Sequence, residues 1–292
     1  MGSQECDVAV VLSSYEEGPS LSRTIDSLLA ASWTPSEIVV VDDGSTDGSC
    51  DQLWPTCVRV VRQMHLGIAA ARNLGARMAK GRSLVFLDAH CAMENDWLRS
   101  LLQVCVDNPR AIVGPAIRDA NDTRFVGCGA EIIDAKFSYR WSAVGSTRVT
   151  EVGLIPGGCM AVEREHFLRM GGFGPFKGFG LEDVELALRW WRAGFPILGT
   201  SESIVHHVFR TRSPYRPEER QWLQNIMWTA LRHLQGSRLR SCIIECSQFA
   251  EFPAAIATVL SEGSVPLPTS LGSVLERPID EYFERWAPNA FD

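Results

Sequence analysis

Short unbroken apolar runs alternate with segments of helical period through the first third of the chain. Val8 to Ser13, Ile38 to Val41, Val58 to Val61 and Ser83 to Leu87 read as strands buried on both faces. Between them, Ser20 to Ala30 places Leu21, Ile25, Leu28 and Leu29 on one helical face, and Ile68 to Ala79 repeats the helical spacing. This alternation predicts a parallel sheet with right-handed crossovers. Trp97 to Val106 predicts another helix, after which the rhythm changes to short runs at Ala111 to Ile117 and Ala130 to Ile133 that extend the sheet as an antiparallel or mixed middle. A glycine-heavy loop from Gly171 to Gly180 precedes a helix rich in bulky residues, Val184 to Trp191. From about residue 218 the pattern is helical, broken at Pro253 and by Pro266 and Pro268. The expected architecture is α/β, a mainly parallel mixed sheet flanked by helices, with residues 1–235 as the main domain and 236–292 as a helical extension packed on it.

Composition narrows the class. A chain of 292 residues that is 46% hydrophobic can bury one large core. A net charge of -7, with 28 Lys and Arg in no dense run, argues against a nucleic-acid surface. No segment reaches the roughly 18 apolar residues of a membrane span. The amino terminus runs into the first strand without a signal sequence, and nine scattered cysteines, an odd number, suggest reduced thiols and a cytoplasmic location. Cys242 and Cys246, at helical spacing, read as core residues.

The candidate chemistry begins where the fourth strand ends, in Phe86-Leu87-Asp88-Ala89-His90-Cys91. Strand alternation puts Asp88 and His90 on one face at the carboxyl end of a strand, where open α/β sheets bind ligands. Both are residue types that hold divalent cations, although a turn Asp and a backbone-satisfying His fit the tripeptide equally well. There is no Gly-x-Gly-x-x-Gly after the first strand and no Walker sequence. Instead Asp42-Asp43 closes the second strand, where a carboxylate can accept a hydrogen bond from a nucleobase or simply cap its own turn. Glu182 and Asp183 open a helix, placed to favour its dipole or to face a substrate.

Several blocks together resemble a known family. Val58 to Gln63, Gly67-Ile68 with Ala71-Arg72 and Leu74 to Ala76, Phe86 to Cys91 with Trp97-Leu98 and Leu101-Leu102, Gly157-Gly158, Glu182, Leu186 and Arg189, and His207 to Arg210 with Pro214-Tyr215 are similar to the catalytic domain of polypeptide N-acetylgalactosaminyltransferases. That domain has the GT-A fold shared with glycosyltransferase family 2. The blocks span roughly residues 8 to 235; the tail is not covered.

The resemblance implies a third metal ligand, His207, completing an Mn2+ site (or Mg2+ site) with Asp88 and His90, whereas His206 alternates to the opposite face. It implies a UDP-sugar donor held by Ser13, Tyr15, Asp43, Arg72, Asp88, Gly158, Phe179, Arg210 and Tyr215, with Asp43 on the uracil and the two arginines on the phosphates. Glu182 and Asp183 become the catalytic pair. The family usually carries Asn at the position of Asp183; a Glu-Asp pair looks instead like inverting family 2 enzymes, in which the Asp deprotonates the acceptor. Phe179 stands where the family has a lid Trp, and the expectation is a catalytic domain without the family's membrane anchor and lectin domain.

The expectation is a metal-dependent glycosyltransferase that moves a hexose or N-acetylhexosamine from UDP to a Ser/Thr hydroxyl or Cys thiol of a peptide. The alternative within the class is a family 2 enzyme acting on a glycan, lipid carrier or small natural product. Outside it stand an inactive nucleotide-sugar-binding module and a nucleotidyltransferase, the latter disfavoured because Ser13 to Ser20 is acidic and lacks a basic glycine loop. The sugar, the anomer, the oligomeric state and the role of the tail, as groove cap, dimer surface or core closure, stay open at this level.

Overall fold

In a computed structural model, which describes residues 7–122, 124–210, 218–262 and 277–291, the predicted alternation is present. The first half runs β1 (Val8–Ser14), α1 (Pro19–Ala30), β2 (Glu37–Asp42), β3 (Val58–Arg62), α2 (Ile68–Met78), β4 (Ser83–Asp88), β5 (Cys91–Met93) and α3 (Trp97–Asp107). The middle holds β6 (Ile112–Asp119), β7 (Val126–Ile132), β8 (Tyr139–Ala143), β9 (Val149–Glu151), β10 (Cys159–Glu163) and α4 (Arg164–Arg169). Then come α5 (Glu182–Arg192), β11 (Ile197–His207), α6 (Glu219–His233), α7 (Gly236–Cys246), α8 (Phe252–Glu262) and α9 (Ile279–Trp286).

One mixed sheet runs in the order β3-β2-β1-β4-β10-β6-β11-β5, with β7, β8 and β9 attached off that path. β3, β2, β1 and β4 are mutually parallel, so Ser14, Asp42 and Asp88 come out at the same edge. Alternate residues of these strands enter two separate cores. Val8, Val10 and Leu12 pack with α1 and α3, whereas Ala9 and Val11 pack with α2, α5 and the carboxyl-terminal helices. Covering both faces is what uninterrupted apolar strands require. The crossing of α2 over β1 depends on Gly75, where an added Cβ would lie 2.3 Å from Val11 Cγ1.

The non-parallel half brings distant residues to that edge. β10 runs antiparallel to β4 with Cys159 opposite Leu87, which places Gly158 opposite Asp88, whose N–H donates to the Gly158 carbonyl at 3.0 Å. β11 runs parallel to β6, shifts register between Thr200 and Ile204, and pairs its last residue, His207, with Cys91 of β5. The sheet itself therefore carries His207 to the turn after β4.

Glu182 opens α5 behind Leu181, whose φ of 73° is left-handed, so the acidic pair lies in the first turn as expected. One local expectation needs correction. Pro253 falls in the first turn of α8, where a missing N–H costs nothing, and so starts a helix. The tail beyond residue 235 closes the core. Cys242, Cys246, Ala255, Val259, Tyr282 and Phe283 are buried in it, and the Tyr282 hydroxyl donates to the Gly153 carbonyl at 2.9 Å.

Candidate active site

Asp88 is the last residue of β4, His90 sits in the turn that follows, and His207 ends β11; one ligand atom from each lies within 4.8 Å of the others. Asp88 Oδ2 is 3.3 Å from His207 Nε2 and 4.0 Å from His90 Nε2. Strand alternation is not what joins Asp88 to His90, because the strand stops at Asp88 and the turn through Ala89 swings His90 back. His206 points elsewhere, with Nε2 2.9 Å from Glu94 Oε1. Burial pushes the Asp88 carboxyl up, but the His207 hydrogen bond, Arg72 and His90 outweigh it and hold the group well below the usual carboxylate range. One carboxylate oxygen and two imidazole nitrogens, with room for further ligands, suit a divalent cation of the Mn2+ or Mg2+ type that must also bind a substrate.

Arg72, on α2, is 1% exposed and joins this cluster to a second one. Its Nη2 donates to Asp88 Oδ1 at 2.9 Å and to the Gly157 carbonyl at 2.6 Å, while Nη1 donates to Glu182 Oε1 at 2.9 Å. Both terminal nitrogens thus bond within the protein, using three of the five N–H donors, and Nε is buried without a partner. Arg72 acts here as the clamp between Asp88 and Glu182. Gly157 leaves space for it, since a Cβ there would come within 2.6 Å of Nη1.

Glu182 and Asp183 are buried side by side. Burial and the neighbouring Asp183 carboxylate raise Glu182 from 4.5 to about 7, against the pull of Arg72, and its Oε2 is buried without a hydrogen-bond partner. Burial also raises Asp183, opposed by the Gly157 N–H, Arg72 and the Val184 N–H. Asp183 Oδ2 accepts from Gly157 N at 2.9 Å and Oδ1 from Val184 N at 2.8 Å. These two carboxyls line a cavity of 220 Å³ with Arg72, Gly158, Tyr139 and Trp141. Tyr139 is 37% exposed as a whole, but the protein packed around its hydroxyl, with Asp183 and Glu182 near it, pushes that group up as well.

A larger cavity of 590 Å³ opens beside it, lined by Ser13, Tyr15, Glu17, Asp43, His65 and Arg210 among others. Ile68, Asp88, Phe179, His207 and Phe209 line both cavities, so the cation cluster stands at their junction. Tyr15 stacks on His65 with ring centroids 4.0 Å apart. Asp43 is less available than the sequence implied. Oδ1 accepts from Gln63 Nε2 at 2.6 Å and Leu66 N at 2.9 Å; Oδ2 accepts from Gly67 N at 2.9 Å and lies 3.0 Å from His65 Nδ1. Three of the about four acceptor sites on a carboxylate are then taken by hydrogen bonds, while His65 Nδ1 is 3.2 Å from the Asp43 main-chain carbonyl, so one site is left for a nucleobase N–H. Asp43 shapes the wall formed by residues 63–67.

Arg210 also has a protein partner, a two-point ion pair with Glu17. Gly158 borders the junction, and a Cβ there would meet His207 Cδ2 at 3.3 Å and Asp88 Oδ2 at 3.6 Å. Phe179 is 46% exposed on the glycine loop. That loop is already seated. Ile68 N donates to the Gly178 carbonyl at 3.1 Å, Asn225 Nδ2 donates to the carbonyls of Lys177 and Gly180 at 3.0 and 3.1 Å, and Lys177 Nζ pairs with Glu262 at 2.7 Å. Tyr215, which the resemblance places on the donor, lies outside the described residues. Sequence reasoning missed Glu17, Tyr139 and the apolar lining from Trp141 and Phe209, whose positions follow from loop and strand pairings that leave no periodic trace, and Asn225, which α6 carries to the glycine loop.

The sequence pattern of glycosyl transferase family 2 matches residues 9–169, and that of the N-terminal domain of galactosyltransferase matches residues 151–212. The first contains Asp88 and His90; the second contains Glu182, Asp183 and His207. Polypeptide N-acetylgalactosaminyltransferase 11 of Xenopus tropicalis is 30% identical over 235 residues, 71% of this chain and 39% of that protein. The chain thus spans about two fifths of that curated relative. A crystal structure of GalNAc-T7 with UDP, GalNAc and Mn2+ superposes with a TM-score of 0.70 at 21% identity, covering 97% of this chain and 57% of that one. The mannosyltransferase PcManGT of Pyrobaculum calidifontis, in complex with GDP-Man and Mn2+, gives a TM-score of 0.58 at 20% identity, covering 98% and 85%.

Proposed function

The chain belongs to glycosyltransferase family 2, and on that premise we propose that it transfers a hexose or N-acetylhexosamine from a UDP-sugar to a Ser or Thr hydroxyl, or a Cys thiol, of a peptide. The observation that carries the reading is the junction of two cavities at Asp88, His90 and His207, with a buried carboxylate pair lining the smaller one. A nucleotide-sugar fits the 590 Å³ space, and an acceptor hydroxyl fits the 220 Å³ space. Asp88, His90 and His207 would hold Mn2+, or Mg2+, which when bound neutralises charge on the departing diphosphate.

The protein supplies the rest. Arg72 keeps Asp88 ionised and aimed while it holds Glu182 on the opposite wall. Asp183, raised by burial, is the candidate that takes the acceptor proton, fixed in place by the Gly157 and Val184 N–H groups. The seated glycine loop with Phe179 narrows access to both cavities and limits water. The peptide acceptor is supported by the 30% identity to a polypeptide N-acetylgalactosaminyltransferase. A second reading, transfer to a glycan, lipid carrier or small natural product, is favoured by Asp183 itself, since a raised carboxyl there suits an inverting base. A cytoplasmic location belongs to the proposal too; it is supported by the free state of all eight described cysteines.

Incubation of the protein with UDP-sugars, Mn2+ and a library of Ser-, Thr- and Cys-containing peptides, read by mass spectrometry, tests the acceptor. A mass increase of one hexose or N-acetylhexosamine on peptide is expected. Transfer only to glycan or lipid acceptors in parallel reactions would establish the second reading instead.

A further inference from the structure

The loop between β1 and α1 carries a carboxylate that the reaction scheme above does not use. Glu17 is 9% exposed and faces two parts of the site at once. Its Oε2 lies 3.3 Å from His90 Nδ1. The Arg210 guanidinium grips the same carboxylate at both oxygens, with Nη1 3.4 Å from Oε1 and Nη2 on Oε2, the oxygen that faces His90. The loop is itself pinned, since Gly18 N donates to Asp47 Oδ2 at 2.7 Å and Glu16 Oε1 accepts the Thr46 N–H at 2.8 Å and the Thr46 hydroxyl at 3.0 Å. Glu17 is therefore presented to His90 by a rigid turn, and an arginine fork fixes its rotamer.

We propose that Glu17 is a positioning residue for the cation site, acting through His90, and that Arg210 acts on the same site by holding Glu17. A neutral imidazole has one N–H and one lone pair, and an acceptor at Nδ1 decides which nitrogen carries which. With Glu17 accepting the Nδ1–H, the Nε2 lone pair is left facing Asp88 and His207, and the ring cannot turn about its axis without losing that bond. A carboxylate behind a ligating His also raises the basicity of the nitrogen that binds the cation. Arg210 thus acts on the cation without touching it. The phosphate role inferred for Arg210 concerns the donor-bound state; the chain from Arg210 through Glu17 to His90 is present before any nucleotide arrives. The inference rests on the reading of Asp88, His90 and His207 as cation ligands.

The test measures Mn2+ binding directly, by the electron paramagnetic resonance signal of free Mn2+, first without nucleotide and then with saturating UDP. The proteins are wild type, Glu17→Ala, Glu17→Gln, Arg210→Ala, the Glu17→Ala/Arg210→Ala double variant, and His207→Ala as a reference that lacks a ligand. Thermal melts confirm that each is folded, and Glu17→Gln carries the test if Glu17→Ala is not. Glu17→Ala should weaken Mn2+ binding by about 10- to 100-fold, and Glu17→Gln by less, because its amide oxygen still accepts the Nδ1–H. Arg210→Ala should weaken binding by a smaller factor in the wild-type background and by nothing further once Glu17 is gone. Folded Glu17 variants that bind Mn2+ within about twofold of wild type, while His207→Ala does not, would overturn the proposal and leave the cation site standing. Arg210→Ala losing as much affinity in the double variant as alone would overturn the part that runs through Glu17. If wild type and His207→Ala bind Mn2+ alike in both conditions, the cation reading itself fails.

Discussion

Replacing Arg72 with methionine tests the clamp at the centre of the site. Methionine fills similar space without charge, so the change removes three hydrogen bonds from a side chain that is 1% exposed: those to Asp88 Oδ1, Glu182 Oε1 and the Gly157 carbonyl. Two carboxylates are left facing each other without the cation between them. Breaking a buried ion pair by deleting one partner costs about 3–5 kcal/mol. Because Glu182 already sits at about 7, it can escape part of that cost by taking a proton, so a loss near the lower figure is expected at neutral pH. The sign of the pH dependence follows. Without Arg72 the folded-state values of Asp88 and Glu182 both move up. A carboxyl raised in the folded state binds protons there that it has lost in the unfolded chain, so stability falls as pH rises from the unfolded value to the folded one. The deficit of Arg72→Met should accordingly be larger at pH 8 than at pH 5. Guanidinium chloride unfolding of both proteins across that range, without divalent metal, measures it. A deficit below about 1 kcal/mol at pH 8, or one that does not change with pH, would refute the clamp.

Three further outcomes are expected. Asp183→Asn should lower turnover by roughly 10² to 10⁴ if Asp183 is the base, with a β-linked product from an α-linked donor in the wild type; an active Asn variant and an α-linkage by NMR would remove that role. Asn offers one acceptor where Asp183 uses two, so one of the bonds from Gly157 and Val184 is lost, and donor affinity must be measured beside turnover. Glu182→Gln should flatten the fall in stability that the raised Glu182 produces between pH 4.5 and about 7, a gain relative to wild type on the order of 3 kcal/mol at most; parallel unfolding curves at pH 5 and pH 8 would contradict it. Gly67→Ala places a Cβ 2.4 Å from the Gly178 carbonyl at a φ of 98°, so it should unseat the glycine loop, speed hydrogen exchange at 177–180 and raise the donor KM, whereas unchanged exchange would count against the loop as a lid.

The parallel half of the sheet was legible because buried strands and amphipathic helices each leave a period: Val8, Val58 and Ser83 start strands as expected, and Ile38 is the second residue of its strand. The later strands were not. β5 and β9 have three residues each, β8 is half exposed, and β11 carries Ser201, Glu202 and Ser203 through a register shift, so none shows a clean alternation. At the site, the meeting of Asp88, His90 and His207 was anticipated through family resemblance for His207 and by alternation for His90, although a turn does the work. What lay beyond the sequence was occupancy. Residue type says that Asp43, Arg72 and Arg210 can bind a base or phosphates; only the fold shows that each is already engaged by Gln63 and Gly67, by Asp88 and Glu182, and by Glu17. Glu17 and Asn225 gave no signal because their partners, His90 and the glycine loop, lie 73 and 45 to 48 residues away.

The account turns on one measurement, calorimetric titration of UDP into the wild-type protein in Mn2+ and in EDTA, repeated with His207→Ala and His206→Ala. UDP binding that requires Mn2+, is lost in His207→Ala and is retained in His206→Ala, whose imidazole faces Glu94, is the predicted result. Equal UDP binding in Mn2+ and EDTA, or in wild type and His207→Ala, would contradict a metal-dependent nucleotide-sugar site at Asp88, His90 and His207.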